Sequence, residues 1–230
     1  MSHQAIAAKF NSWVESGDAD RLEDNHGDVV GQVLDSLSIQ AGEKILDLGC
    51  GNGWATRLLA KAAPGTQAIG IDASPQMIAR ADELHSFTIR ARYDYGTFEE
   101  LEFDDATFDR AFSMEALYYS PDPDKALSEL FRVLKPGAVT DLVLDFYSDS
   151  PGTEVWSQAI GLEMCYRSEG EWVDALKAAG FADVEARRVI DSRGPGDEAA
   201  FKPSRSCPDW ATRVSVHEAG SLWLHAKKPG

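Results

Sequence analysis

Hydrophobic positions recur along the chain with two alternating periods. Ile6, Phe10, Trp13 and Val14 fall at helical spacing over residues 3–16, and Val29, Val30, Val33, Leu34 and Leu37 repeat the pattern over 27–37. The stretch between them, 17–26, is polar and turn-prone. Compact or alternating apolar runs predict strands at 44–48, 67–72, 87–93, 106–113, 138–146, 182–190 and 221–227. Helical patterns fill the gaps. Ala55, Leu58, Leu59 and Ala62 mark one; Met77, Ile78, Ala81 and Leu84 mark another, with Ser74 as N-cap and Pro75 at the first helical position. Asp122-Pro123-Asp124 opens a third, which runs through Leu134 and stops at Lys135-Pro136-Gly137. Two more are predicted near 154–164 and over 168–179, the last stopped by Gly180. Residues 191–220, rich in glycine, proline and charge, read as a long loop that serves as a lid or an interface. Strands alternating with helices predict an α/β fold with a parallel sheet.

The first strand runs straight into Gly49-Cys50-Gly51-Asn52-Gly53-Trp54. A glycine turn between strand and helix lies at the carboxyl edge of such a sheet, where ligands bind. Glycine lets the backbone bend sharply and lets a ligand approach. The spacing is G-x-G-x-G, not the G-x-G-x-x-G of dinucleotide binders, and no G-K-[ST] tail marks a P-loop. The second strand ends in Asp72, 19 positions after Gly53. That is close to the spacing of about 20 at which a carboxylate meets the ribose hydroxyls of a nucleotide-like ligand.

At these residues the sequence resembles a known family. Residues 45–53 (Ile-Leu-Asp-Leu-Gly-Cys-Gly-Asn-Gly) resemble the first motif of the class I S-adenosylmethionine-dependent methyltransferases, of the small-molecule, type 11-like kind. Residues 70–77 are similar to the second, and residues 108–113 and 130–137 to two more, in the family's order and spacing. The resemblance implies a Rossmann-like, seven-stranded, mostly parallel sheet with helices on both faces and an antiparallel last strand. It divides the chain into an N-terminal helical cap, 1–40, and a cofactor-binding domain, 41–230. The implied cofactor is S-adenosyl-L-methionine. Gly49, Gly51 and Gly53 would pass beneath its methionine moiety, and Asp72, with Ala73 beside it, would hold the ribose. Met77 would border the adenosine, or simply fill the core. Asp47 would shape the turn or reach the amino group through water. Ser113 ends the fourth strand, and Trp13 would fold over the cofactor from the cap or anchor the core. The family's acidic adenine-binding position is Thr97 here, so its hydroxyl and the Phe98 N–H are the expected adenine contacts.

Residues 114–119 follow the fourth strand, over the expected place of the reactive methyl group. No N/D-P-P-Y/F motif stands there, which argues against base or amide methylation. Glu115, Tyr118 and Tyr119 are candidate contacts, and His26, Glu115 and Tyr118 are candidate bases, needed if the nucleophile arrives protonated. A capping or surface role is the alternative for His26. Trp13, Tyr118, Tyr119, Tyr147, Trp156 and Tyr166 either line an acceptor site or pack in the core. Asp145 is placed to face the pocket, and Asp141 to be solvated or paired. The predicted reaction is in-line transfer of a methyl group to an O, N or C nucleophile of a small molecule. The alternative is a non-catalytic cofactor-binding module with a regulatory or assembly role.

Composition narrows the partners. The 230 residues carry a formal net charge of −16, which repels phosphate backbones and argues against a nucleic-acid substrate. The 3 cysteines form no C-x-x-C pair, and the 5 histidines are scattered, so neither a disulfide framework nor a metal site is predicted. No leader pattern and no membrane-spanning apolar run is visible, so a reduced cytoplasm is expected. Oligomeric state is not readable from the sequence.

Overall fold

A computed structural model describes residues 2–230. Its centre is one sheet of strands β1 (Lys44–Leu48), β2 (Gln67–Asp72), β3 (Ala91–Tyr95), β4 (Phe108–Met114), β5 (Leu134–Leu144), β6 (Ala182–Val189) and β7 (Ser221–Lys227). The spatial order is β3-β2-β1-β4-β5-β7-β6. Strands β1 to β5 pair in parallel, and β7 runs antiparallel to both β5 and β6. The chain winds outward from β1 to β3, then returns to β4 on the other side of β1. This reversal opens a crevice at the carboxyl ends of β1 and β4.

Alternating side chains of the strands feed two cores. Leu46 and Leu48 point with Leu142 and Leu144 into one, where Leu127 and Leu130 of α5 (Pro123–Val133) and Trp172 of α7 (Glu169–Ala178) are buried. Ile45, Phe112 and Val143 point into the other, against Val30 and Val33 of α2 (Leu22–Ser36) and Trp54 and Leu59 of α3 (Trp54–Leu59). Both faces of the sheet are therefore covered, as a parallel sheet requires. α1 (His3–Ser16) lies across the carboxyl edge, packed on α4 (Pro75–Glu83). Asn11 Oδ1 accepts the Ser74 hydroxyl at 2.7 Å, and Arg80 of α4 pairs with Asp20 at 2.9 Å.

Several boundaries differ from the sequence expectation. Gly17 ends α1 with φ +82, and a 3-10 turn at Asp18–Arg21 leads directly into α2, so the polar stretch around His26 is helical. Glu23 and Asp24 in its first turn suit a helix N-terminus. The third strand begins at Ala91, where Ala68 fixes its register, and Phe87 stands fully exposed in a preceding turn. Pro136 lies within β5, not beyond α5: pairing with β4 jumps from Leu134 to Val139, and the irregularity takes up the missing N–H. α6 (Trp156–Ile160) is shorter than expected because Gly161 turns left-handed at φ +78. The supposed loop 191–220 contains a 3-10 turn at Glu198–Ala200 and a helix, α8 (Trp210–Ala219), capped by the Asp209 side chain on the Thr212 N–H. Asp141 is fully buried and paired: Arg110 at 2.9 Å, His225 at 2.8 Å and the Trp223 N–H at 3.0 Å.

Candidate active site

A cavity of about 420 Å³ occupies the crevice at the carboxyl ends of β1, β2 and β4. Its floor is the glycine turn. Gly49 and Cys50 donate their N–H groups to Ile71 O, which ties the turn to β2. Asp72 completes the tie by accepting the Gly51 N–H at 2.9 Å and the Ser74 N–H at 2.8 Å. Burial pushes the Asp72 carboxyl up to about 6. A Cβ on Gly49 would overlap that of Ala116 and press on the Phe98 ring, so only glycine leaves this floor open. Gly51 is constrained chiefly by its backbone, with φ +53; a Cβ there would lie 3.0 Å from the end of the Leu22 side chain.

The roof is α1. His3, Ile6, Phe10 and Trp13, spaced three and four apart, present one helix face to the cavity. Phe10 meets the rings of Trp13 and Tyr119 edge-on at 5.1 and 5.0 Å. His3 reaches Glu99 at 2.7 Å, and Ser120 donates its hydroxyl to the same carboxylate.

The far wall carries Glu115, Tyr118, Tyr119 and Trp156. Glu115 follows β4 with φ +53, a left-handed conformation that costs a non-glycine residue about 1–3 kcal/mol. Tyr118 donates its hydroxyl to Glu115 at 2.5 Å, and the Asp145 N–H donates to the other carboxylate oxygen. Burial, reinforced by the nearby Asp145 carboxylate, pushes the Glu115 carboxyl well above the usual range. Burial and the Glu115 charge likewise push the Tyr118 hydroxyl up. His26, on α2, stands in the wall with Nδ1 3.7 Å from Asp145. Burial lowers its basicity, and the Asp145 carboxylate opposes that in part.

Among the described residues that line this cavity there is no lysine or arginine. The carboxylates of Asp72, Glu99 and Glu115 and the rings of Phe10, Trp13, Phe98 and Tyr119 surround it instead. Such a lining suits a ligand that carries positive charge.

A family model described as a methyltransferase domain matches residues 45–137. The O-methyltransferase resE of Aspergillus sclerotiorum is 30% identical over 189 residues, which is 80% of this chain and 71% of that protein. The chain belongs to the S-adenosylmethionine-dependent methyltransferases. The methyltransferase phqN of Penicillium fellutanum is 36% identical over 184 residues, 75% of this chain but 55% of its own length. The chain spans about half the length of several other curated relatives. A chain from the complex between the Haloferax volcanii Trm112 methyltransferase activator and a methyltransferase superposes with a TM-score of 0.87 at 28% identity, covering 96% of this chain and 98% of that one. Solved neighbours of the same fold carry S-adenosyl-L-methionine or its demethylated product.

The residues of this methyltransferase fit that cofactor. The floor at Gly49 and Gly51 is a cradle that a Cβ would fill, and the half-buried Asp72 carboxylate keeps lone pairs beyond its two backbone bonds. Of the sequence-derived site residues, Trp13, His26, Gly49, Gly51, Asp72, Ala73, Met77, Phe98, Glu115 and Tyr118 line the cavity. Four others stand behind it. Asp47 is buried below the turn and accepts the Thr56 hydroxyl at 2.6 Å. Gly53 faces the Tyr93 ring, and Ser113 donates to Leu48 O at 2.8 Å. Thr97 is not part of the cavity lining and pairs with Glu100 in a turn, whereas Phe98 beside it lines the wall. Tyr147 and Tyr166 are also off the wall: Tyr147 bonds Gly220 O at 2.8 Å, and Tyr166 packs on Phe146.

The sequence reading did not single out His3, Phe10, Glu99 or Ser120 as wall residues. The 3-4-3 spacing of His3, Ile6, Phe10 and Trp13 was the available signal for the roof. No local signal marked Glu99, whose place depends on Ser120 and the Asp122 N–H.

Proposed function

We propose that this methyltransferase acts on a small molecule, held between the cofactor region and the wall formed by Glu115, Tyr118, Tyr119 and Trp156. The observation that carries this reading is the roof. α1 covers the cavity of about 420 Å³ with Ile6, Phe10 and Trp13, and because the cofactor shares that space, the room left suits only a compact acceptor. The net charge of −16 further disfavours a nucleic-acid acceptor.

The bound cofactor would supply an already activated methyl group. The chain's own part is alignment, exclusion of water and, for an O–H or N–H nucleophile, proton removal. His26 suits proton removal, because its lowered basicity leaves the ring neutral and able to accept. Glu115 already accepts from the Tyr118 hydroxyl and the Asp145 N–H, and that hydroxyl is held by Glu115, so both are assigned to positioning the acceptor and not to proton removal. Tyr119 and Trp156 supply apolar faces for in-line presentation.

Calorimetry with S-adenosylmethionine and S-adenosylhomocysteine, followed by a metabolite screen for gain of one methyl group, tests the reading. Cofactor binding with no methylated small molecule would favour the alternative, a cofactor-binding module without catalysis.

A second element comes from the Haloferax volcanii relative, whose partner is an activator protein. An activator of that kind would suit the β3 edge here. Among the described residues β3 pairs with β2 alone, and Tyr95 on β3 and Leu84 and Phe87 in the segment leading into it are exposed. Co-purification with such an activator, lost on Phe87→Ser with Tyr95→Ser, would support it.

A further inference from the structure

A second cavity of about 350 Å³ adjoins the first, and Asn25, His26 and Trp156 line both. Its outer wall is α8, with Arg213 and His217 one turn apart on the same face. α8 is fixed at both ends. Gly152 lets it approach closely, since a Cβ there would lie 2.6 Å from Thr212, and Tyr147 bonds Gly220 O just past its end.

The two cavities differ in charge. The first has no lysine or arginine in its lining, whereas the second has Arg213. Of the acids that face the second cavity, Asp191 is matched by Arg193 at 2.9 Å, and Asp145 stands next to His26 at the shared wall. Arg213 has no carboxylate partner among the described residues. Its Nε donates to Pro195 O at 3.0 Å, which leaves the guanidinium end at the solvent-facing rim. Arg213 is the one lysine or arginine in the lining of this second cavity among the described residues.

Building on the proposed small-molecule activity, we infer that this chamber is an acceptor subsite that takes an anionic group, a carboxylate or a phosphate. The anion sits against Arg213 and His217. The acceptor then passes Trp156, with its O–H or N–H nucleophile turned to His26 and Asp145 where the chambers meet. A cationic cofactor and an anionic acceptor terminus are thereby kept in separate compartments.

The test is calorimetry of the full-length protein with benzoate, inorganic phosphate and neutral benzamide, each with and without S-adenosylhomocysteine. Either anion is expected to bind better than benzamide. Benzoate alone would mark a carboxylate site, and phosphate alone a phosphate site. Arg213→Gln should weaken anion binding about tenfold or more, while Arg205→Gln, in the same segment, leaves it unchanged. Both variants should bind S-adenosylhomocysteine like the parent, which shows that they fold. Anions that bind no better than benzamide, or as well to Arg213→Gln as to the parent, overturn the subsite. Failure of S-adenosylhomocysteine to bind the parent protein would instead strike the proposed activity, and the cofactor-free titrations would still decide the subsite.

Discussion

Asp72 accepts the Gly51 N–H at 2.9 Å, so the carboxylate at the tip of β2 also fixes the glycine floor. Replacing it removes the proposed ribose contact and a support of the turn together. Asp72→Ala should reduce S-adenosylhomocysteine affinity by about 100-fold, as the loss of two charge-assisted hydrogen bonds would. Asp72→Asn should lose less, because its amide oxygen still accepts one N–H. Calorimetry on both variants checks the order.

Burial raises the pKa of Asp72 to about 6 and that of Asp47 to about 7, and the shift has a definite sign. Both groups bind their proton more tightly folded than unfolded. Their contribution to stability is full below the ordinary carboxylate range and falls as pH rises through it to about 6 and 7. Asp47→Asn keeps an acceptor for Thr56 and has no charge to bury. Relative to the parent it should gain roughly 2–4 kcal/mol of stability between about pH 4 and pH 8. Urea unfolding at the two pH values measures this. Cofactor affinity should move the other way, weakening as pH drops below about 6, where Asp72 takes up its proton.

Gly49 and Gly17 share a left-handed backbone, with φ +74 and +82, but not their surroundings. Gly49→Ala should destabilise by more than about 2 kcal/mol and abolish cofactor binding, because its methyl group overlaps Ala116. Gly17→Ala meets nothing within 4 Å and should cost only about 1 kcal/mol of conformational strain. Thermal melts with and without S-adenosylhomocysteine separate the two.

Arg110 and Asp141 form an ion pair inside the sheet, with side chains 8% and 0% exposed. Arg110→Met leaves the buried Asp141 carboxylate its His225 and Trp223 partners but removes its guanidinium, and should cost about 3–5 kcal/mol. Adding Asp141→Leu should restore only part of that loss in a double-mutant cycle, since the charge is then gone but the Trp223 N–H loses its acceptor.

His26 should control turnover once an acceptor is known. His26→Asn is expected to lower kcat about 100-fold or more and to remove the fall in rate at low pH, with cofactor affinity unchanged. Glu115→Gln should instead change KM with the pH profile retained.

The fold was legible where side-chain period and local chemistry agree. The glycine turn, the two acid-tipped strands and the helix opened by Ser74-Pro75 declare themselves within a dozen residues. Their cavity-lining members, Gly49, Gly51, Asp72 and Met77, followed from the same motifs. Legibility failed where distant pairing decides. The start of β3 depends on Ala68 of β2, and Pro136 is tolerated in β5 because pairing with β4 skips there. α8 depends on a single cap, Asp209, inside a segment whose glycines and prolines suggest a loop. Glu99 sits on the wall because Ser120, 21 residues away, holds it there.

The roof over the cavity starts at the third residue of the chain, where His3 meets Glu99 and Ser2 caps the helix on the Ala5 N–H. A change that loosens this first turn, such as loss of the His3–Glu99 contact, therefore reshapes the candidate chamber and not merely an outlying helix.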